Sequence, residues 1–283
     1  MKGEFIGAAL ISAVLISAAI ASLLLLRRKN RLIWQELFRL REQLFIQRQE
    51  IVDVRKQVVI AAERERMRLP ALMTSQYGED ILLWNFFDHK REGFYVEVGA
   101  YDGVGFSNTY FFEAVGWTGL LIEPVPELYR ACLSSRPYSR VINTVVGKGE
   151  NGQQVEFSVA EGNGGVGTLS FFGENPQQVK RIHKEGGVVR TIEVPLVSLN
   201  RLLEDHRGEI DFISIDVEGK ELDVLQGFDL QRFRPRVLVI EDNSNGSDTG
   251  VKDWLELHDY MERFRCEHNV FYAHKDDEGR FRW

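Results

Sequence analysis

The hydrophobic rhythm of the chain changes three times, and each rhythm predicts a different kind of element. From Phe5 to Leu26 there are 22 residues without a charge, enough as a helix to cross roughly 30 Å of hydrocarbon. This predicts a transmembrane helix behind a short tail at residues 1–4. A cleavable signal peptide is the rival, because Ala19-Ile20-Ala21 resembles a small-residue cleavage site, but the apolar core of such peptides is only about 7 to 15 residues long. The small residues Ala8, Ser12, Ala13, Ser17 and Ala21 would let two such helices approach closely, although small residues are common in these segments anyway.

Residues 27–70 carry the second rhythm. Ile33, Leu37, Leu40, Leu44, Ile51, Val54 and Val58 fall on alternating three- and four-residue steps, interrupted by Gln47. Glu50 and Arg55 stand at a spacing that pairs neighbouring parallel helices. The pattern fits a coiled-coil stalk that joins two copies of the chain, and equally a single amphipathic helix on a membrane surface or against a globular domain. Leu69-Pro70 ends the pattern, because the residue before a proline resists helical geometry, so a globular domain is expected over residues 71–283.

The third rhythm alternates short apolar runs with helical patterns. Strands are predicted at Phe94 to Val98, Gly119 to Ile122, Arg140 to Val146, Phe212 to Ile215 and Val237 to Ile240, with helices at Asn108 to Val115, Pro126 to Ser134, Ser198 to Asp205 and Glu221 to Gly227 between them. Val155 to Val159 and Glu193 to Val197 read as extra strands around a loop at residues 160–190. Asp248 to Phe264 reads as a long helix capped by Asp248, followed by a strand at Val270 to His274. Together these predict an α/β fold with a mostly parallel sheet.

Charge divides the chain. Residues 1–70 hold 13 Lys and Arg against 7 Asp and Glu, whereas the rest holds 22 against 35. An acidic globular part repels phosphate backbones and argues against a nucleic-acid partner, while the basic stalk suits anionic lipid headgroups. Arg27, Arg28, Lys29 and Arg31 follow the apolar stretch, so the positive-inside rule predicts a single-pass membrane protein with its globular domain in the cytoplasm. Two cysteines, Cys132 and Cys266, make neither a disulfide framework nor a metal-ligand spacing, and six scattered histidines add none.

Candidate chemistry collects at strand ends. Glu97, Glu123, Asp216, Glu241 and Asp242 all lie at or just past the carboxyl ends of predicted parallel strands, where open α/β sheets bind ligands. Glu97 interrupts FYVEVGA, where an unpaired buried charge costs several kcal/mol and a partner is required. Gly99 to Gly105 lacks the GxGxxG that seats a pyrophosphate, which disfavours a nicotinamide-type enzyme. An acid 24 positions after Gly99, Glu123, still suits ribose hydroxyls. S-adenosylmethionine meets these demands: a ribose, a cationic tail and no phosphate.

SQYGED from Ser75, GFYVEVGAYDGVGFSNT from Gly93, LLIEPVPELY from Leu120, VPLVSLNRLL from Val194 and FISIDVEGKELDVLQGF from Phe212 resemble the FkbM-type methyltransferases. The resemblance implies a Rossmann-like class I methyltransferase sandwich, with a seven-stranded, mostly parallel sheet between helices, and O-methylation of a hydroxyl on a glycan, a lipid-linked or a small-molecule acceptor. Carried over by position, Glu97, Gly99, Ala100 and Gly103 line the methionine end of the cofactor, with Tyr101, Asp102, Ser107 and Asn108 beside them. Glu123 and Pro124 take the ribose, Asp216 stands near the transferred methyl, and Gln76, Gly78 and Asp80 close over the cofactor. SQYGED alone reads equally as a turn and helix cap. Asp216 and Glu218 are the candidates for orienting or deprotonating the acceptor, with Lys220 third; Glu218 and Glu221 could also be acids of a helix start.

Asp216 with Asp242-Asn243 resembles the magnesium set of catechol-type O-methyltransferases, but their lysine falls at Gly219, one place before Lys220, and no resident metal is expected. GNGGVG from Gly162 lacks the ending of a phosphate loop and reads as a loop shaping the acceptor site. A degenerate methyltransferase domain acting as a membrane scaffold is the competing function.

Overall fold

A computed structural model describes the backbone of residues 2–162 and 166–277, and the side chains of residues 31, 33–162 and 168–277. Helix α1 runs from Lys2 to Glu63. Among the described residues no helix is long and apolar enough to cross a membrane. The side chains of the predicted span at 5–26 lie outside the described residues.

Two compact units are distinguished, residues 1–54 and residues 55–283. The second begins upstream of the boundary expected at Leu69-Pro70, because polar groups tie the intervening segment down. Buried Lys56 donates to the Ser75 carbonyl at 2.5 Å, and Arg68 donates through Nε to the Glu113 carbonyl at 2.8 Å and through Nη2 to the Trp117 carbonyl.

In chain order this unit contains α2 (Glu79–Phe86), β1 (Phe94–Val98), α3 (Tyr110–Val115), β2 (Thr118–Ile122), α4 (Pro126–Ser135), β3 (Arg140–Ile142), β4 (Val145–Val146), β5 (Gln153–Glu161), β6 (Phe171–Phe172) and α5 (Pro176–Lys184). There follow β7 (Val188–Val197), α6 (Leu199–Leu202), β8 (Phe212–Ile215), α7 (Glu221–Gln226), α8 (Leu230–Phe233), β9 (Val237–Glu241), α9 (Gly250–Glu256), β10 (Tyr260–Cys266) and β11 (Asn269–His274). A seven-stranded sheet has the order β10-β11-β9-β8-β1-β2-β3. Its strands from β9 to β3 pair in parallel, and β11 and β10 extend one edge by antiparallel pairing.

The two-residue period of β1 explains the layering. Val96 and Val98 join Ile213, Leu238 and Ile240 in a core covered by Leu199 of α6, Val224 and Leu225 of α7 and Leu255 of α9. On the opposite face Tyr95 and Phe212 meet a largely edge-to-face aromatic cluster of Trp84, Phe87, Phe112 and Trp117. Glu97 points to that second face, in alternation with the two valines.

Three expected elements come out differently. The run from Arg140 to Val146 is two strands, because Asn143 donates to the carbonyls of Glu123 and Pro124, both at 2.8 Å, and Thr144 to that of Pro195 at 2.5 Å. There the chain leaves the large sheet for a four-stranded one, β4-β7-β5-β6. Residues 160–190 are no plain loop: they hold β6 and α5, which starts at Pro176 behind an Asn175 cap. Asn163, Gly164 and Gly165 of the expected acceptor loop lie outside the described residues. The last long helix stops at Glu256, and Tyr260–Cys266 is a strand instead. Its pairing with β11 covers a sheet edge that a helix would have left open, and the left-handed Asp259 (φ 67°) makes the turn into it. Asp248 does act at the helix start, accepting from the Gly250 amide at 2.9 Å.

Candidate active site

Beyond the carboxyl ends of β1, β2, β8 and β9 lies a cavity of about 570 Å³. Its position is the one open α/β sheets reserve for ligands. The turn after β1 forms the floor, with Gly99 at φ 86° and so close to β8 that a Cβ would sit 1.9 Å from the Asp216 carbonyl. Only glycine fits there.

Glu123, just past β2, is buried, and its two oxygens accept the Tyr101 and Val125 amides at 2.9 and 2.8 Å. Desolvation outweighs these bonds and pushes its carboxyl up to about 8. Each oxygen keeps a lone pair for a further donor.

Glu97 has a different environment from the one expected. Its carboxylate accepts from Ser107 Oγ (2.9 and 3.1 Å), Thr109 Oγ1 (2.6 Å) and the Asn108 amide (3.2 Å), and pairs with Arg136 at 3.3 Å. The protein itself supplies the partners that a buried charge requires. Arg136 also donates to Glu113 (2.9 Å), Tyr95 Oη (2.6 Å), Thr109 Oγ1 (2.8 Å) and the Gly103 carbonyl (2.9 Å). Burial works against the Glu113 anion, but Arg136 with Ser139, Tyr95 and the Tyr138 amide prevails and holds its carboxyl below the ordinary range. Nothing in the local sequence flags Arg136, which follows α4 with no motif around it.

A second acidic group faces the cavity from β8 and β9. One oxygen each of Asp216, Glu218 and Glu241 lies within 4.8 Å of the others. Glu218 is held in place by Gln178 of α5 (3.0 Å) and Asn243 (3.4 Å), with Arg181 at 3.8 Å, and its own backbone is left-handed at φ 53°. Asp216, one residue past β8, keeps an exposed surface on the cavity, although the protein around it desolvates its carboxyl. Desolvation in this recess, then mutual repulsion, pushes the Glu218 and Glu241 carboxyls up; in Asp216 desolvation by the surrounding protein and the Glu97 charge do the same. Converging oxygens of this kind suit a cationic group or a proton to be moved.

Of the residues expected to bind a cofactor, Gln76, Glu97, Gly99, Ala100, Tyr101, Ser107, Asn108, Glu123, Pro124 and Asp216 all line the cavity, as do Glu218 and Lys220. Lys220 pairs with Asp223 at 3.3 Å. Four of the expected residues do not line the cavity. Gly78 is the left-handed residue before α2. Asp80 is fully buried, accepting the Ser75 and Ile81 amides. Asp102 closes its own turn by accepting from the Val104 and Gly105 amides at 2.9 and 2.7 Å. Gly103 turns at φ 80° against Ser135 and Arg136 rather than toward the cavity. The Asp216 and Asp242-Asn243 set also breaks up: Asp242 turns to Ser244, the Gly246 amide and Arg265, and Glu241 takes its place. Glu221 accepts the Gly219 amide at 2.9 Å and is a loop cap. The four-stranded sheet and α5 supply residues that no motif announced, among them Phe157, Phe172, Gln178 and Arg181.

A family model for the methyltransferase FkbM domain matches residues 97–269. The chain belongs to the FkbM methyltransferase family. No curated protein sequence matches it. Among solved structures, the Bacillus cereus O-methyltransferase in complex with S-adenosylhomocysteine is similar at 14% identity and TM-score 0.41, over 82% of this chain and 98% of that one. The METTL16 methyltransferase domain gives 11% and 0.40 over 77% of each chain. M. capricolum TrmK, also with S-adenosylhomocysteine, gives 8% and 0.36 over 71% of this chain and 68% of its own.

For an FkbM domain, an S-adenosylmethionine-dependent methyltransferase, the cavity has the right fittings. Gly99 lets the turn after β1 pack against the Asp216 carbonyl and so shapes the cavity wall, and Glu123 has acceptor capacity for ribose hydroxyls. Asn108 Oδ1 and Glu241 Oε2 are buried with no hydrogen-bond partner among the described residues, an arrangement that a ligand's donors would complete.

Proposed function

We propose that the protein is a membrane-anchored S-adenosylmethionine-dependent O-methyltransferase acting on a hydroxyl of a glycan, lipid-linked or small-molecule acceptor. The observation that carries this reading is one cavity lined by Glu123 together with Asp216, Glu218 and Glu241. The cofactor supplies a methyl group already activated on a sulfonium. The remaining tasks fall to the protein: holding the acceptor oxygen in line and removing its proton.

Glu123 accepts the ribose hydroxyls and Asp216 stands at the reacting end. Glu218 receives the acceptor's proton, because its carboxyl, raised by burial and then by Asp216 to about 8, lies near working pH, where a general base is most effective. Gln178 and Asn243 orient that carboxylate. Lys220 lies at the rim and orients acceptor groups. Aromatic and polar residues of the cavity wall, Phe157, Phe172, Thr168 and Ser170, suit a hydroxyl-bearing acceptor with apolar ring faces. The anchor is assigned to residues 5–26, from their uncharged run and the basic flank behind it, and places the domain on the cytoplasmic side of the bilayer.

Titration of the full-length chain in detergent with S-adenosylhomocysteine tests the cofactor assignment. Binding is expected in the wild type and lost in Gly99→Ala, whose Cβ has no room. Absence of wild-type binding overturns the reading, and NADH binding in its place would assign another Rossmann-like enzyme. Mass spectrometry of lipids and glycans from cells with and without the protein then finds the acceptor by its single-methyl mass increment. Cofactor binding with no methylated product in any fraction would favour the scaffold.

A further inference from the structure

Helix α1 presents a stripe that the described residues leave exposed. Ile33, Leu37, Leu40, Leu44, Ile51, Val54 and Val58 are 44% to 66% exposed, although every one is a large aliphatic residue. Their spacing assigns heptad positions: Leu37, Leu44, Ile51 and Val58 at a, and Ile33, Leu40, Gln47 and Val54 at d. The residues flanking this seam are then fixed. Positions g are Glu36, Gln43 and Glu50, and the e positions five residues after them are Arg41, Arg48 and Arg55.

That arrangement selects an occupant for the stripe. In a parallel pair of helices each g residue faces the e residue five positions on in the partner, giving Glu36 to Arg41 and Glu50 to Arg55 in both directions, with Gln43 facing Arg48. In an antiparallel pair e faces e and g faces g, which sets arginine against arginine and glutamate against glutamate. A bilayer surface is also a poorer match, since a helix lying on lipid carries a basic polar face, and here the seam is bordered by acids on one side. Glu36 pairs with Arg39 within its own helix at 2.8 Å, but both are more than half exposed and such pairs contribute little, so it is free to turn to a partner. Gln47, exposed at a d position, has an amide that can meet its own copy across the seam in one register alone.

We propose that the occupant is a second copy of this chain, and that residues 33–58 form a parallel, in-register two-stranded coiled coil held in orientation by the Arg41, Arg48 and Arg55 ladder. The inference rests on neither methyl transfer nor the membrane anchor. It brings the two N-terminal apolar segments to the same end of the pair.

The test uses full-length protein in detergent micelles, with native Cys132 and Cys266 both buried. Leu44→Cys, at an a position, is expected to form a disulfide-linked dimer on mild oxidation several-fold faster than Glu42→Cys, which is an outward f position of the same turn. Light scattering is expected to give a dimer mass for the wild type and a monomer for Glu36→Arg with Glu50→Arg, and the dimer again once Arg41→Glu and Arg55→Glu are added. A monomeric wild type, or equal cross-linking at positions 44 and 42, overturns the proposal. So does a fluorophore at position 44 that reports lipid contact in a monomer, which assigns the stripe to the bilayer surface.

Discussion

Glu97 and Arg136 show how one buried charge governs the backbone that holds a ligand. Glu97 lies one residue before the end of β1, and the same guanidinium that pairs with it also donates to the Gly103 carbonyl at the far end of the cofactor turn. Arg136 is 1% exposed and meets two carboxylates, Glu97 and Glu113, together with Tyr95 and Thr109. Removing it leaves two buried acids without their cation. Arg136→Ala is therefore expected to destabilise the domain by about 3–5 kcal/mol, measured as the loss of unfolding free energy in urea, with weaker S-adenosylhomocysteine binding in whatever fraction stays folded. Stability within about 1 kcal/mol of the wild type would mean that Glu97 and Glu113 find other partners. Arg136 is thus a positioning residue, acting on the turn through Glu97 and the Gly103 carbonyl.

The elements divide by how far their sequence fixes them. β1, β2, β8 and β9 are short runs buried on both faces, and their apolar residues announce them directly. The acids at their ends were legible for the same reason, since several acids together at the carboxyl ends of parallel strands point to one crevice. Asp102 and Asp80 look alike in sequence but turn inward to cap local amides, and the difference rests on backbone angles that composition does not encode. Glu241 and Asp242 are neighbours, so the one-residue alternation of a strand end decides which faces the cavity. The Tyr260–Cys266 strand was missed because its charged residues also fit a helix, and long-range pairing with β11 prevails over that local pattern. The second sheet was legible only in part, as β5 and β7, because β6 is only two residues long and the helix beside it, α5, is mostly polar. The second sheet and α5 bring Phe172 and Arg181 to the cavity wall, and Gln178 to Glu218. Phe172→Ala with Arg181→Ala is expected to lower acceptor turnover several-fold while leaving S-adenosylhomocysteine affinity within about twofold. Equal losses in both would make this wall part of the cofactor site instead.

At the scale of the whole catalytic unit, acids drawn together around one cavity should cost stability until a ligand meets them. Glu123 is raised to about 8 by burial, and Asp216, Glu218 and Glu241 are raised by burial and their like charges. A carboxyl raised in the folded state favours folding fully below its unfolded value, and that contribution is lost as pH climbs through the folded one. Glu113 and Asp242, held below the ordinary range by Arg136 and by Ser244 with Arg265 against the effect of burial, act in the opposite sense. Their contribution is present above the unfolded value and disappears only as pH falls into the acid range. The ligand-free chain should therefore be most stable near pH 5 to 6 and lose stability steadily toward about pH 9. S-adenosylhomocysteine brings hydroxyl donors to Glu123 and an ammonium that the acids can hold, so it lowers these carboxyls and its stabilising effect should grow with pH over the same window. Melting curves at constant ionic strength, with and without ligand, measure both trends. Glu218→Gln keeps an oxygen for Gln178 and Asn243 but cannot ionise, and it should flatten the ligand-free slope. A melting temperature independent of pH from about 5 to 9, or a slope that Glu218→Gln leaves untouched, would show that the carboxylates are paired and charged without the ligand.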